Sequence, residues 1–142
     1  MVAIPLAVCA LLFAMTVTNR PRRAALGGQT DERARLRGDL VNDIRTANQY
    51  CGVFVALLGV LATIAVSARD SFAPVLNTTY LWPFGVALVA AALATVFVPG
   101  GYGRGSFPVL QVLWFRSVLA EQITVVFTVY GIWRALGAVV VA

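Results

Sequence analysis

The sequence predicts an all-α fold: an integral membrane four-helix bundle, with one cytoplasmic amphipathic helix continuing into the second span. Three observations predict it. Of 142 residues, 60% are hydrophobic and only 12% charged, where a soluble domain carries about 25% charged residues. Stretches close to bilayer length recur at about 2–18, 50–68, 81–98 and 117–134. The arginines gather in the connections between those stretches, as orienting charges do in membrane proteins. A soluble chain this short could not bury so much apolar surface, because small domains leave a large fraction exposed. The length allows one polytopic domain over residues 1–142 and no separate soluble one.

The first stretch, residues 2–18, holds no charge and ends at Asn19-Arg20-Pro21-Arg22-Arg23. It is at the short end for a span, which needs about 17–25 residues. Cys9 follows Leu6-Ala7-Val8, but Val8 is not the small residue of a lipid-attachment signal, and no basic residue precedes the apolar run. The segment therefore reads as a transmembrane helix and not as a cleaved leader.

A second helix is expected from Thr30, which can cap it, with Asp31 and Glu32 against its positive end. From there Leu36, Leu40, Ile44, Ala47 and Cys51 recur at helical spacing on one face. Leu36, Leu40, Asp43 and Ile44 are the candidate docking surface of this cytoplasmic helix, residues 30–49. Asp43 falls inside the apolar stripe, so it is expected to have a partner. No breaker separates the helix from the span at 50–68, so the two should form one rod.

The third span, 81–98, begins at Trp82-Pro83 and stops at Pro99. Proline suits a first helical turn, which would put the start near Leu81. The loop Gly100-Gly101-Tyr102-Gly103-Arg104-Gly105 joins two helices and contains no Lys, so it reads as a chain reversal and not as a phosphate cradle. The region 107–142 is too long for one straight span. Arg116 and Arg134 lie about 27 Å apart along a helix, each with aromatic neighbours, and bracket a span at 117–134. The position of residues 135–142 does not follow from the pattern.

Orientation follows from the charges. Arg20, Arg22, Arg23, Arg33, Arg35, Arg37, Arg45, Arg104 and Arg116 fall on one side, against Arg69 and Arg134 on the other. The first side is expected to be cytoplasmic, with both termini outside a cell (inner) membrane.

Composition closes off several chemistries. With no His there is no imidazole ligand or base. All 11 positive side chains are Arg, so Schiff-base and phosphate-loop lysines are excluded. Arginine throughout also fits the coding bias of a GC-rich, bacterial genome. Cys9 and Cys51 make neither a metal cluster nor a disulfide framework, and helical rise separates them by about 15 Å, too far for a bridge. No catalytic constellation, cofactor site or metal site is expected, and no continuous basic stripe with interleaved aromatics suggests nucleic acid.

Two kinds of face stand out. Gly52, Ala56 and Gly59 in the second span, and Ala87 and Ala91 in the third, are small residues at helix-packing spacing. Such residues let helices approach in lipid; packing within the chain's own bundle is the favoured use. In the last span Ser117, Glu121, Thr124 and Thr128 form the candidate intramembrane polar face. A carboxyl there is costly and faces protein or water. The depth is shallow and no second intramembrane acid continues a relay, so Glu121 reads as a structural residue that snorkels or pairs with an arginine. The expected function is a non-enzymatic accessory or scaffold subunit, whose partners are the bilayer and other membrane subunits or copies of itself. A minimal oligomeric transporter or channel using Glu121 is the alternative. A phage holin fits the size and the basic loops, without a motif.

Overall fold

The computed structural model describes residues 2–19, 30–68, 78–96 and 106–141. These form four helices: α1 (Ala3–Asn19), α2 (Thr30–Ser67), α3 (Thr78–Val96) and α4 (Phe107–Val141). No strand occurs among the described residues. Two of the helices are long and apolar enough to cross a membrane, within Ala34–Ser67 and Phe107–Ala138. The apolar helices Ala3–Thr18 and Thr79–Thr95 are shorter.

The local chemistry accounts for the ends. Pro5 and Pro108 fall in the first turns of α1 and α4, where a missing N–H costs nothing. α2 is one helix of 38 residues, about 57 Å long, as the absence of a breaker before Tyr50 requires. α3 begins three residues earlier than the sequence suggests, so Pro83 lies inside the helix and not in its first turn. The region after Phe107 is also one helix, of 35 residues and about 52 Å. Residues 135–141 extend it. The side chains assigned to the cap at Thr30, and the loops 20–29, 69–77 and 97–105, lie outside the described set.

α4 is the centre of the bundle and touches the other three helices. Its pairings fix the directions. Asp43, Cys51 and Leu58 of α2 meet Trp114, Thr124 and Phe127 of α4 in the same order, so these two helices run parallel. Ala94, Ala87 and Phe84 of α3 meet Ala120, Thr124 and Gly131 in reverse order, so α3 is antiparallel. Phe13 meets Phe115 and Cys9 meets Gln122, which makes α1 antiparallel as well.

The packing has three regimes along α4. Around its first third, Leu40 and Ile44 of α2 close on Leu110, Leu113, Trp114 and Val118. This is a large-side-chain core; each such aliphatic group contributes about 1.5–3 kcal/mol when withdrawn from water. At the far end of α4, Leu58 and Phe127 pack with Trp82, Phe84, Ile123 and Val126; between the two ends the contacts are small: Cys51, Ala91, Ala94 and Ala120 form one cluster. Here the backbones approach and close van der Waals packing replaces bulk.

The first regime corrects the expected docking surface. Leu40 and Ile44 are buried and Leu36 is half-buried, and the face carrying Leu40 and Ile44 is covered by α4 of the same chain. It is covered because α4 starts at Phe107, ten residues before the expected span, and runs beside the N-terminal part of α2. The small-residue faces divide. Ala87 and Ala91 are buried between helices. Gly52, Ala56 and Gly59 are exposed, and a Cβ at Gly52 or Gly59 would meet nothing within 4 Å. Packing inside the chain's own bundle is therefore overturned for that face: α2 turns Cys51 and Leu58 inward instead.

Candidate functional site

The polar residues of α4 that the sequence singles out share one face, and that face points into the bundle. Ser117, Thr124 and Thr128 are each 0% exposed, and Glu121 is half-buried. Spacings of seven and four residues put the three hydroxyls on one stripe. A serine or threonine inside a helix can donate to the carbonyl one turn back. Thr124 does so, with Oγ1 2.7 Å from the Ala120 carbonyl oxygen. The same hydroxyl stands 3.3 Å from the Ala87 carbonyl of α3 and 4.0 Å from the Cys51 sulfur of α2. Thr124 is thus the point where three helices meet. The Ser117 and Thr128 hydroxyls are enclosed and make no hydrogen bond.

Glu121 feels an acid that the sequence does not reveal: the charge of Asp43 of α2 acts on it. The parallel register sets Asp43 at the level of Trp114, seven positions and about 10 Å along α4 before Glu121. Asp43 accepts a 2.9 Å hydrogen bond at Oδ2 from Trp114 Nε1. This is the partner that its place in the apolar stripe called for, although the identity of that partner was not legible. Trp114 also stacks edge-on against Phe115, so the ring is held while its N–H is used.

A second polar contact was missed because it involves uncharged residues on another face of α4. Gln122 Nε2 donates to Thr16 Oγ1 at 2.9 Å, and Thr16 itself donates to the Leu12 carbonyl at 2.8 Å. The Gln122 carbonyl also faces the Cys9 thiol at 3.9 Å. These contacts fasten α1, which otherwise meets α4 through Phe13 and Phe115. An amide in an apolar run was the available signal. Cys9 and Cys51 are both buried and free.

At the far end of α4, Arg134 donates to the Thr79 carbonyl and lies over the rings of Tyr80 and Tyr130, 5.2 and 5.9 Å from their centroids. Gly131 admits the Phe84 ring, whose carbons would come within 2.8 Å of a Cβ there.

Chemically, the face offers hydroxyls, a thiol and two acids of different helices. Among the described residues no group of three His, Cys, Asp or Glu side chains could hold a metal ion. No protein-family model, curated protein or solved structure matches the chain.

Proposed function

We propose that the chain is a small, non-enzymatic, multi-pass membrane protein, an accessory or scaffold subunit of a membrane complex or homo-oligomer. One observation carries the reading: polarity is inverted relative to a water-soluble bundle. The hydroxyls of Ser117, Thr124 and Thr128 are inside, while Val53, Val60, Ile64 and Val66 of α2, Val89 and Leu93 of α3, and Leu11 and Met15 of α1 face outward. Only 11% of the most apolar window of α2 is buried inside the chain. In water such a surface would drive aggregation, since monomers rarely expose large contiguous apolar patches; in lipid it is the required exterior.

The change of packing along α4 supports the same picture. Bulky aliphatics close the end that carries Arg35, Arg37 and Arg45, alanines close the middle, and bulk returns at the far end around Trp82, Phe84 and Phe127. Burial of bulk is rewarded where water surrounds the helices, and close approach where lipid does. We place α1, α3 and the apolar parts of α2 and α4 across a cell (inner) membrane, with the arginine-rich end in the cytoplasm and both termini outside. The outward Gly52, Ala56 and Gly59 would then face lipid or another helix.

Alkaline extraction of membranes tests the integral placement: the chain should stay with the lipid pellet. Cysteine labelling tests orientation, with Arg35→Cys reacting from the cytoplasm and Asn77→Cys from outside. Reaction of both from one side contradicts four spans. Purification in mild detergent should then retain stoichiometric partners or copies.

A minimal transporter or channel is the second reading. The half-buried Glu121, under the charge of Asp43 and one turn from the unbonded Ser117 hydroxyl, favours it. Flux measured in liposomes separates it from the subunit reading.

A further inference from the structure

We propose that Arg116, with Asn48, forms a binding site for a phosphate group, carried by an anionic phospholipid at the arginine-rich end of the bundle. The lipid source rests on the membrane reading above; the phosphate chemistry does not. Arg116 is half-buried, and its Nε and Nη2 are enclosed without a hydrogen bond. These two nitrogens form one edge of the guanidinium plane. That edge grips a carboxylate or phosphate through two parallel N–H···O bonds. Asn48 is also half-buried, and its Oδ1 is enclosed and unbonded.

Register brings the two residues within about one helical turn of each other along the bundle. Asp43 meets Trp114, so on parallel helices Arg116 stands level with Arg45, three positions before Asn48. The axial offset is about 5 Å, the span of a phosphate and its adjoining headgroup. Antiparallel α3 reaches the same level as it ends, at Val96.

A guanidinium edge enclosed without acceptors is costly, and more so than a neutral group. Whatever completes it accepts two hydrogen bonds and carries negative charge, while a neighbouring donor suits Asn48 Oδ1. A phosphodiester with a hydroxylated headgroup supplies both. The location fits as well: the exposed Phe115 adjoins Arg116, the aromatic–basic pairing of a headgroup layer. Arg35, Arg37 and Arg45 lie on the same end of the bundle, and basic sites between helices on that side hold anionic headgroups.

The test uses the full chain in detergent, titrated with dioleoylphosphatidylglycerol, dioleoylphosphatidylcholine or inorganic phosphate, with retained ligand read by native mass spectrometry. The expected result is about a tenfold preference for phosphatidylglycerol over phosphatidylcholine, the scale of one charge-assisted contact. Arg116→Gln should abolish that preference, while Arg45→Gln, an exposed charge on the same end, should keep it. Equal retention of the two lipids by the wild-type chain overturns the lipid assignment whether or not any variant folds. Equal loss in both variants reduces the effect to general charge attraction and also overturns the site. Binding of inorganic phosphate that depends on Arg116, without lipid selectivity, keeps the phosphate site and removes the lipid. Alkaline extraction reports separately on the membrane reading.

Discussion

Arg134 donates from Nη1 to the Thr79 carbonyl at 3.0 Å, and Thr79 stands four residues before Pro83, which has no N–H to give it. A proline inside a helix removes the bond to the carbonyl one turn back. Arg134 supplies a donor to that carbonyl from the neighbouring helix, while Tyr80 and Tyr130 hold its guanidinium. This arrangement accounts for an internal proline in α3 and for the arginine at this end of α4.

The consequence is a coupling between positions 83 and 134. Arg134→Met should lower stability by about 1 kcal/mol, the modest value of a solvent-reached bond. In a Pro83→Ala background the loss should shrink, because the alanine returns an intrahelical N–H donor to the Thr79 carbonyl. A double-mutant cycle of unfolding in mixed micelles measures it. Strict additivity would mean that the arginine acts through the aromatic rings alone.

Gly131 offers a steric test of the α3–α4 contact. A methyl there would press on Phe84 at 2.8 Å, so Gly131→Ala should destabilise by about 1–3 kcal/mol, the usual cost of overpacking. Phe84→Leu in the same chain should recover most of the loss in thermal midpoint. Unchanged stability of Gly131→Ala alone would show that α3 sits farther from α4.

Trp114 and Asp43 tie the parallel pair. Trp114→Phe keeps most of the apolar contact and removes the donor to Asp43 Oδ2. Stability should fall by about 1–2 kcal/mol. The same substitution in an Asp43→Asn chain should cost less, since the charge assistance is already gone. An equal cost in both backgrounds would leave the ring's packing, and not its N–H, as the contribution.

What the sequence disclosed, and what it withheld, follows from range. Periodicity and the lack of breakers are local, so the continuous α2 and the stripe of Leu40, Ile44 and Cys51 were legible. What covers that stripe was not, because Leu110 and Trp114 lie about 70 positions away and no pattern within α2 names them. Ser117, Thr124 and Thr128 could be placed on one face, since spacing alone decides it. The contact of Asp43 with Trp114 depends on the register of two distant helices. The small residues Gly52, Ala56 and Gly59 misled for a different reason: small side chains permit a close neighbour without requiring one, so the same pattern suits an inward or an outward face. At Pro83 the first-turn preference was outweighed by Arg134, which removes much of the penalty for an internal proline.

The outward glycines give a prediction that separates folding from association. Gly52→Ile and Gly59→Ile meet no neighbour inside the chain, so stability should stay within about 0.5 kcal/mol of wild type, as it does for surface changes. Beta-branched bulk should nevertheless block another helix from closing on that face. Crosslinking or copurification yield should therefore fall while the fold persists. A drop in thermal midpoint comparable to that of Gly131→Ala would place the glycines in an internal contact after all.

Glu121 decides between the two functional readings. The hydroxyls beside it do not depend on it: Thr124 donates to the Ala120 carbonyl and the Ser117 hydroxyl makes no bond. Replacing the carboxyl therefore strands no donor in the polar stripe, and the charged group acting on it is the like-charged Asp43. Glu121→Leu should for that reason leave stability unchanged or slightly raised, where removing one partner of a buried hydrogen-bonded pair would cost about 3–5 kcal/mol. Glu121→Gln keeps the size and the hydrogen-bonding capacity of the side chain and removes its ability to carry a proton. As a subunit, the Gln chain should express, fold and copurify with its partners as wild type does, and liposomes holding either chain should show the same proton-driven flux as empty ones. Flux present in wild type and lost in Glu121→Gln, with association intact, would transfer the assignment to the transporter reading and make Asp43→Asn the next substitution to measure.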